Sequence, residues 1–104
     1  MILEHAILDV RPGEEEAFLA AFTTARTLIS SMPGFLSLRL GRGIEQPSRF
    51  LLLVEWEHLE DHTTGFRGSP EYQQWRALLH HFYDPFPTVE HYENAASAGE
   101  GHSA

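Results

Sequence analysis

Apolar and polar residues alternate with a period of two in four short segments of the chain, which predicts four β-strands. These segments are 2–10, 35–43, 50–57 and 88–93. Two longer segments place apolar residues three or four positions apart, as amphipathic helices do. The helical stripes consist of Phe18, Phe22, Ala25, Ile29 and Met32 in the first segment, and of Tyr72, Trp75, Leu79 and Phe82 in the second. The predicted order is therefore β-α-β-β-α-β.

The residues at the ends of both predicted helices favour helix termini. Glu14 to Glu16 suit the positive end of the first helix dipole, and Pro33-Gly34 ends that helix. Ser69-Pro70-Glu71 supplies a hydroxyl N-cap, a proline at the first helical position and an acid for the second helix. A short helical turn is predicted over 59–66, and residues 84–87 form a rigid connector to the last strand.

This order of elements predicts an α+β domain of the ferredoxin-like, split β-α-β type. Four strands form one antiparallel sheet, and both helices cover one of its faces. Small and polar residues dominate from Asn94 onward. We therefore expect one domain over residues 1–93, followed by a polar C-terminal tail over residues 94–104.

The third predicted strand is apolar on both faces. Phe50, Leu52, Val54 and Trp56 lie on one face, and Leu51 and Leu53 lie on the other. One layer of helices covers only one face, and burying each such side chain is worth about 1.5–3 kcal/mol. A broad apolar sheet face is unusual on the surface of a monomer. We therefore expect a face-to-face homodimer, and the alternative is a monomer with one sheet face in water.

Composition narrows the classes of partner. The net charge of −8, with only seven Lys and Arg, disfavours nucleic acid and anionic membranes as partners. The chain has no Cys, so it has no thiolate nucleophile and no zinc–thiolate site. The first ten residues contain Glu4 and Asp9 and no basic segment typical of a signal peptide. No apolar run approaches the roughly 18 residues of a membrane span, so we expect a cytoplasmic protein.

Several motifs resemble the antibiotic biosynthesis monooxygenase family. They are the Pro-Gly-Phe turn at 33–35, the stretches 55–62 and 66–72, and the closing stretch 87–92. The resemblance covers residues 1–93 and implies a dimeric α+β barrel. In the polyketide-tailoring branch of the family it implies oxidation of phenolic substrates by O2 without metal or flavin. We therefore expect no cofactor and no metal site, and a small aromatic substrate together with O2 as partners.

The resemblance also implies candidate catalytic residues. That branch has a Trp at the end of the third strand, a Tyr shortly after it and an Arg on the second helix; Trp56 and Arg76 match by position. His62 stands near the Tyr position, and a histidine is a good proton carrier near neutral pH. The catalytic candidates are therefore Trp56, His62 and Arg76. The substrate-binding candidates are His5, Phe66, Tyr72 and Trp75.

Three of these candidates also have an ordinary structural interpretation. Trp56 suits the core at the end of a buried strand. Arg76 suits a surface ion pair, whose contribution to stability is small. His5 suits a hydrogen-bonded structural role, because buried polar groups are normally paired.

Three functions are consistent with this pattern. The first is a cofactor-independent monooxygenase for a small phenolic or quinol-like molecule. The second is a non-catalytic dimeric module that binds a small molecule. The third, haem binding or degradation, is disfavoured, because the haem-degrading branch needs Asn, Trp and His where this chain has Ala6, Phe66 and Arg76.

Overall fold

The structure, a computed structural model that describes residues 1–99, has the element order that the sequence predicts. The strands are β1 (Ile2–Asp9), β2 (Phe35–Arg42), β3 (Arg49–Trp56) and β4 (Val89–Glu93). The helices are α1 (Glu15–Ser30) and α2 (Pro70–Leu79), with a π-helical turn (Asp61–Phe66) before α2 and a 3-10 turn (His80–Phe82) after it. Residues 94–99 form no helix or strand, and the remainder of the predicted tail lies outside the described residues. Within residues 1–99, no helix has the length and hydropathy needed to cross a membrane.

The four strands form one antiparallel sheet in the order β2-β3-β1-β4. β1 and β3 are the central pair, in a register that places Ala6 opposite Leu52. The core combines the two helices with one face of this sheet. The predicted ferredoxin-like α+β architecture is therefore confirmed.

Strand parity divides the sheet into a helix-covered face and an open face. The helix-covered face of β3 presents Phe50, Leu52, Val54 and Trp56, all buried. The buried residues Phe18, Phe22, Ala25 and Ile29 of α1 belong to the same core. On the open face Leu51 remains exposed, as the two-sided pattern of this strand predicts. The core residues at the ends of the predicted stripes, Met32 and Phe82, lie in the turns that follow α1 and α2.

The start of α2 has the cap that its sequence predicts. The Ser69 hydroxyl oxygen accepts a hydrogen bond from the backbone N–H of Tyr72 at 3.1 Å, and Pro70 occupies the first helical position. This cap satisfies one of the N–H groups that a helix leaves unpaired at its first turn. The cap therefore defines where α2 begins.

Gly34 lies in the turn after α1 and packs against the turn that precedes the π-helical segment. Its φ of +83° is a conformation that side chains with a Cβ rarely adopt. A Cβ at this position would also collide with the carboxylate of Asp61. That carboxylate accepts a hydrogen bond from the backbone N–H of His58 at 3.0 Å. The absence of a side chain at residue 34 therefore leaves room for the turn that leads into the π-helical segment.

We expect Gly34→Ala to destabilise the protein more than Gly13→Ala. Both glycines have positive φ, so both variants incur the backbone cost of roughly 1–2 kcal/mol. A Cβ on Gly13 meets no atom within 4 Å, whereas a Cβ on Gly34 must displace Asp61. Urea unfolding of the two variants measures the difference in the free energy of unfolding. Equal losses would show that the Asp61 contact is unimportant.

Candidate functional site

A cavity of about 340 Å³ lies between α2, the π-helical turn and the helix-covered face of the sheet. Such a volume suits a small organic molecule. Its aromatic wall is formed by Phe66, Tyr72, Trp75, Tyr83 and Phe86. Ionisable side chains also reach the wall, and these are Glu4, His62, Arg67 and His80. The cavity therefore combines aromatic surface with a small number of charged or titratable groups.

Glu4 is a buried carboxyl on the cavity wall. It lies on the inward side of β1, in line with Ala6 and Leu8, and is only 4% exposed. The indole Nε1–H of Trp56 donates a 2.9 Å hydrogen bond to its Oε1. Burial raises the pKa of Glu4 to about 7, although the Trp56 hydrogen bond and the charge of Arg67 act in the opposite direction. Near neutral pH this carboxyl is therefore populated in both protonation states.

His62 lies on the π-helical turn and contacts Glu4. Its ring stacks on Trp56 with the ring centroids 5.6 Å apart, and its Nε2 lies 3.4 Å from the Oε1 of Glu4. Burial, reinforced by the positive charge of Arg67 and by His91, lowers the pKa of His62 to about 3. The imidazole is therefore neutral near neutral pH, and its contact with Glu4 is not an ion pair.

His91 extends this contact toward the protein surface. It lies on β4 directly opposite Glu4 in the register of β1 and β4. Its Nε2 lies 2.7 Å from the Nδ1 of His62, so one of these two nitrogens donates and the other accepts. The His91 side chain is half-buried, and burial together with Arg67 lowers its pKa. Glu4, His62 and His91 thus form a continuous series of polar contacts.

The structure brings four of the predicted site residues to one cavity: His62, Phe66, Tyr72 and Trp75. Trp56 is fully buried beside the cavity and reaches it through its hydrogen bond to Glu4. Their functional roles stay predictions.

The other two predicted site residues lie away from this cavity. Arg76 is exposed, one position past Trp75, and is not part of the wall; the arginine on the wall is Arg67. His5 follows Glu4 and therefore lies on the open face of the sheet, where it lines a separate depression with Ile7. These positions give no support to the predicted catalytic role of Arg76 or the predicted substrate-binding role of His5.

Glu4, Arg67 and His91, which form or adjoin the series of polar contacts, are not among the predicted candidates. The wall residues His80, Tyr83 and Phe86 are not among them either. Glu4 does have a sequence signal, because it is a charge at an inward-facing position of a half-buried strand, and such a charge is rarely buried without a function or a partner. The pairing of His91 with Glu4 depends on the register of β4, which the sequence does not specify. Arg67 reaches the cavity through the π-helical turn, whose wider winding an ordinary helical pattern does not predict.

The histidines and Glu4 do not converge on one point. His62 directs one nitrogen toward Glu4 and the other toward His91, so the three side chains contact one another in series. In the part of the chain from residue 1 to 99, no group of three or more His, Asp or Glu side chains is arranged to hold a metal ion.

The Glu4–His62 pair predicts opposite pH dependences for two single variants. Between its ordinary value of 4.5 and about 7, Glu4 holds a proton in the folded protein but not in the unfolded chain. The wild type should therefore lose stability relative to Glu4→Gln as the pH rises through this range. Below 6.5, His62 gains a proton only in the unfolded chain until the pH approaches 3. The wild type should therefore lose stability relative to His62→Gln as the pH falls below 6.5.

Urea unfolding of the three proteins at a series of pH values measures both differences. Each should approach a slope of about 1.4 kcal/mol per pH unit for one proton. Parallel stability curves for the wild type and the variants would show that neither group has a shifted pKa.

Comparison with known proteins places the chain in a family. The model of the family described as antibiotic biosynthesis monooxygenase matches residues 1–78. The uncharacterized protein YczJ of Bacillus subtilis (strain 168) is 53% identical over 94 residues, which span 90% of this chain and 99% of YczJ.

Solved structures agree with this match. A crystal structure of a Bordetella bronchiseptica protein, provisionally named an antibiotic biosynthesis monooxygenase, has a TM-score of 0.86 at 36% identity and covers 91% of this chain and 97% of that one. A Nitrosomonas europaea protein of the same provisional name has a TM-score of 0.79 and covers 92% of this chain and 100% of that one. Its 18% identity shows a shared fold alone. Because the family model matches well over half of the sequence, this chain belongs to the antibiotic biosynthesis monooxygenase family.

Proposed function

We propose that this protein is a cofactor-independent monooxygenase that oxidises a small phenolic or quinol-like aromatic molecule with O2. The observation that supports this function is the aromatic cavity in which the buried Glu4 and His62 lie beside Arg67. Family membership supports monooxygenase-like chemistry or small-molecule binding. The choice of a phenolic substrate rests on the combination of aromatic walls with one cation and titratable groups.

The aromatic wall would bind the ring of the substrate. Phe66 packs edge-to-face against Tyr72 and Trp75, with centroid separations of 5.3 Å and 5.7 Å. A substrate ring could therefore pack against both the faces and the edges of these aromatic rings. The phenolic oxygen would then lie toward Glu4, His62 and Arg67. The guanidinium of Arg67, on the cavity wall, would stabilise the phenolate through its opposite charge.

In the proposed reaction the substrate itself reduces O2. Loss of the phenolic proton gives an electron-rich anion, which transfers one electron to O2. The resulting radical and superoxide form a carbon–oxygen bond, and the peroxide then takes up a proton. Loss of water from this carbon leaves a carbonyl group, so one atom of O2 enters the product and the other leaves as water. The protein binds the substrate, stabilises the anion and moves protons.

We expect the wild type to consume O2 when it is mixed with members of a panel of hydroxynaphthalenes and anthrones. With ¹⁸O₂, mass spectrometry should find one labelled oxygen in each product molecule. Tyr72→Ala removes an aromatic contact from the cavity wall, which is worth about 0.5–1.5 kcal/mol, so kcat/KM should fall about 2- to 13-fold. Gln73→Ala is the matched control on the exposed side of α2 and should leave kcat/KM unchanged.

The absence of O2 uptake by the wild type across the panel would contradict the proposed reaction. Thermal stabilisation by the same compounds without any product would instead favour the alternative, a non-catalytic module that binds a small molecule. Equal activity of Tyr72→Ala and Gln73→Ala would show that the substrate does not occupy this cavity.

We also propose that two copies of the chain pack through the open face of the sheet. The register brings Ile7 next to Leu51, and Leu3 next to Tyr92, so apolar side chains adjoin across three strands. Ile7 is 40% exposed and Tyr92 48% exposed. Among the described residues, the Nδ1 of His5 is buried on this face without a hydrogen-bond partner. A second copy would cover the apolar surface and offer that nitrogen a partner.

Leu51→Glu should weaken the dimer, because it would place a charge within the apolar part of the open face. Leu51 is already 36% exposed, so the fold of the single chain should survive. Ile44→Glu, at a loop position that is 90% exposed, is the control and should leave association unchanged. Sedimentation velocity over a concentration series measures both. A monomeric wild type at micromolar concentration would refute the dimer.

A further inference from the structure

We propose that Glu4, His62 and His91 form a proton-transfer chain, in which Glu4 takes the proton from the phenolic substrate and His91 exchanges it with solvent. This inference rests on the proposed oxidation and deepens it. It assigns the base to a carboxyl on the first strand and gives the proton a defined route out of the cavity.

The three side chains lie one after another in space, from the cavity wall toward the surface. Glu4 lies on the cavity wall, where a substrate oxygen can reach it. The His62 Nε2 lies 3.4 Å from the Glu4 Oε1, and the His62 Nδ1 lies 2.7 Å from the His91 Nε2. Both nitrogens of His62 therefore face a proton-exchanging partner. An imidazole in this position can accept a proton at one nitrogen and release a different proton from the other.

Burial favours Glu4 over His62 as the group that keeps the proton. A cationic His62 would place a charge in a site that is 3% exposed and near the Arg67 guanidinium, which explains its lowered pKa. The carboxyl of Glu4 becomes neutral when it is protonated, and its raised pKa of about 7 suits a base at neutral pH. Trp56 holds Glu4 through its 2.9 Å hydrogen bond and is therefore a positioning residue.

The proton moves through the chain in two steps. The bound substrate O–H donates to the Glu4 carboxylate in place of the His62 Nε2–H, so in this complex His62 holds its proton on Nδ1. The substrate then transfers its proton to the Glu4 carboxylate. Glu4 then gives the proton to the His62 Nε2 while the His62 Nδ1–H passes to the His91 Nε2, so that His62 remains neutral throughout. His91 releases a proton to water, and Glu4 is again a carboxylate.

The same chain works in reverse when the peroxide needs a proton. His91 takes a proton from water, His62 receives it at Nδ1 and releases the one on Nε2, and Glu4 delivers it to the peroxide oxygen. This return step restores the original tautomer of His62. One proton leaves and one re-enters in each cycle, so the chain needs no further reactant.

A small number of charged and titratable side chains surround the proton-transfer chain. Arg67 acts on Glu4, His62 and His91 and makes a persistent cation at either histidine unfavourable. Tyr72, His80 and Tyr83 share the cavity with Glu4, and burial and Arg76 lower the pKa of His80. Because these conditions disfavour a stored charge on the histidines, the proton passes through them and is not held there.

The first test uses the protein without substrate. When Glu4 loses its proton, the Nε2 of His62 should change from hydrogen-bond acceptor to donor, and its Nδ1 should change from donor to acceptor. ¹⁵N NMR of the histidine rings between pH 5 and 9 should therefore show His62 switching tautomer in one step that His91 shares. Glu4→Gln should abolish this step and preserve the Trp56 hydrogen bond. His81→Gln, an exposed histidine outside the chain, is the control and should leave the step unchanged.

The following NMR result would contradict the proton-transfer chain. His91 would titrate alone, with the same midpoint in the wild type and in Glu4→Gln, and the rings of His62 would show no change of tautomer. This test does not depend on any substrate, so it separates the proton chain from the proposed oxidation.

The second test uses O2 uptake with the compound of the panel that is turned over best. Glu4→Gln should lower kcat about 100-fold or more, because a positioned general base typically contributes such a factor. His91→Gln should lower kcat by a smaller factor, because Glu4 remains as the base. Imidazole added to His91→Gln should restore part of the rate, and His81→Gln should match the wild type. In the wild type, kcat/KM should rise with pH through the titration of Glu4.

Wild-type rates in Glu4→Gln and His91→Gln would overturn the proton chain and leave the oxidation intact. No O2 uptake by the wild type would contradict the oxidation and the role of Glu4 as its base. In that case the NMR measurement alone shows whether the three groups exchange protons.

Discussion

The hydrogen bond from the Trp56 indole to the Glu4 carboxyl is the interaction on which the site depends. An isolated carboxylate buried among apolar side chains would be strongly unfavourable, so the group must be paired or protonated. The structure allows both, because Trp56 and His62 contact the same carboxyl oxygen and burial raises its pKa to about 7. His62 stacks on Trp56, so the two residues that contact the Glu4 carboxyl also pack against each other. The polar end of the cavity is therefore held by core packing.

Much of the fold can be predicted from the sequence because it follows from the period of the apolar residues. The two-sided strand Phe50 to Trp56 and the stripe of α1 are each defined by local spacing, and the structure has both. The site is harder, because its residues come from β1, the π-helical turn and β4, which are distant in the chain. The charge of Glu4 at an inward-facing position was the available local signal. Its pairing with His91 depends on the strand register, which local spacing does not determine.

The two arginines show where a positional resemblance reaches its limit. Arg76 stands at the position in α2 where the resemblance implies an arginine, yet it does not line the cavity. Arg67 does, although both arginines are exposed. The difference arises in the turn before α2. There the backbone N–H of Arg67 donates to the carbonyl of His62, five residues earlier, at 3.1 Å. This winding places Arg67 and His62 on the same cavity, and Asp61 at its start needs the space that Gly34 leaves open.

β1 connects the two surfaces on which the proposed function depends. Its alternate residues point to opposite sides, so Glu4 faces the cavity while Leu3 and His5 face the open side of the sheet. If two copies pack through the open face as proposed, β1 would be covered on both sides. Covering a central strand reduces the freedom of its backbone, and the position of Glu4 relative to Trp56 and His62 would be more closely fixed. Dimerisation would then support the proton chain from the opposite side of the sheet, which gives a physical reason for the two surfaces to share one strand.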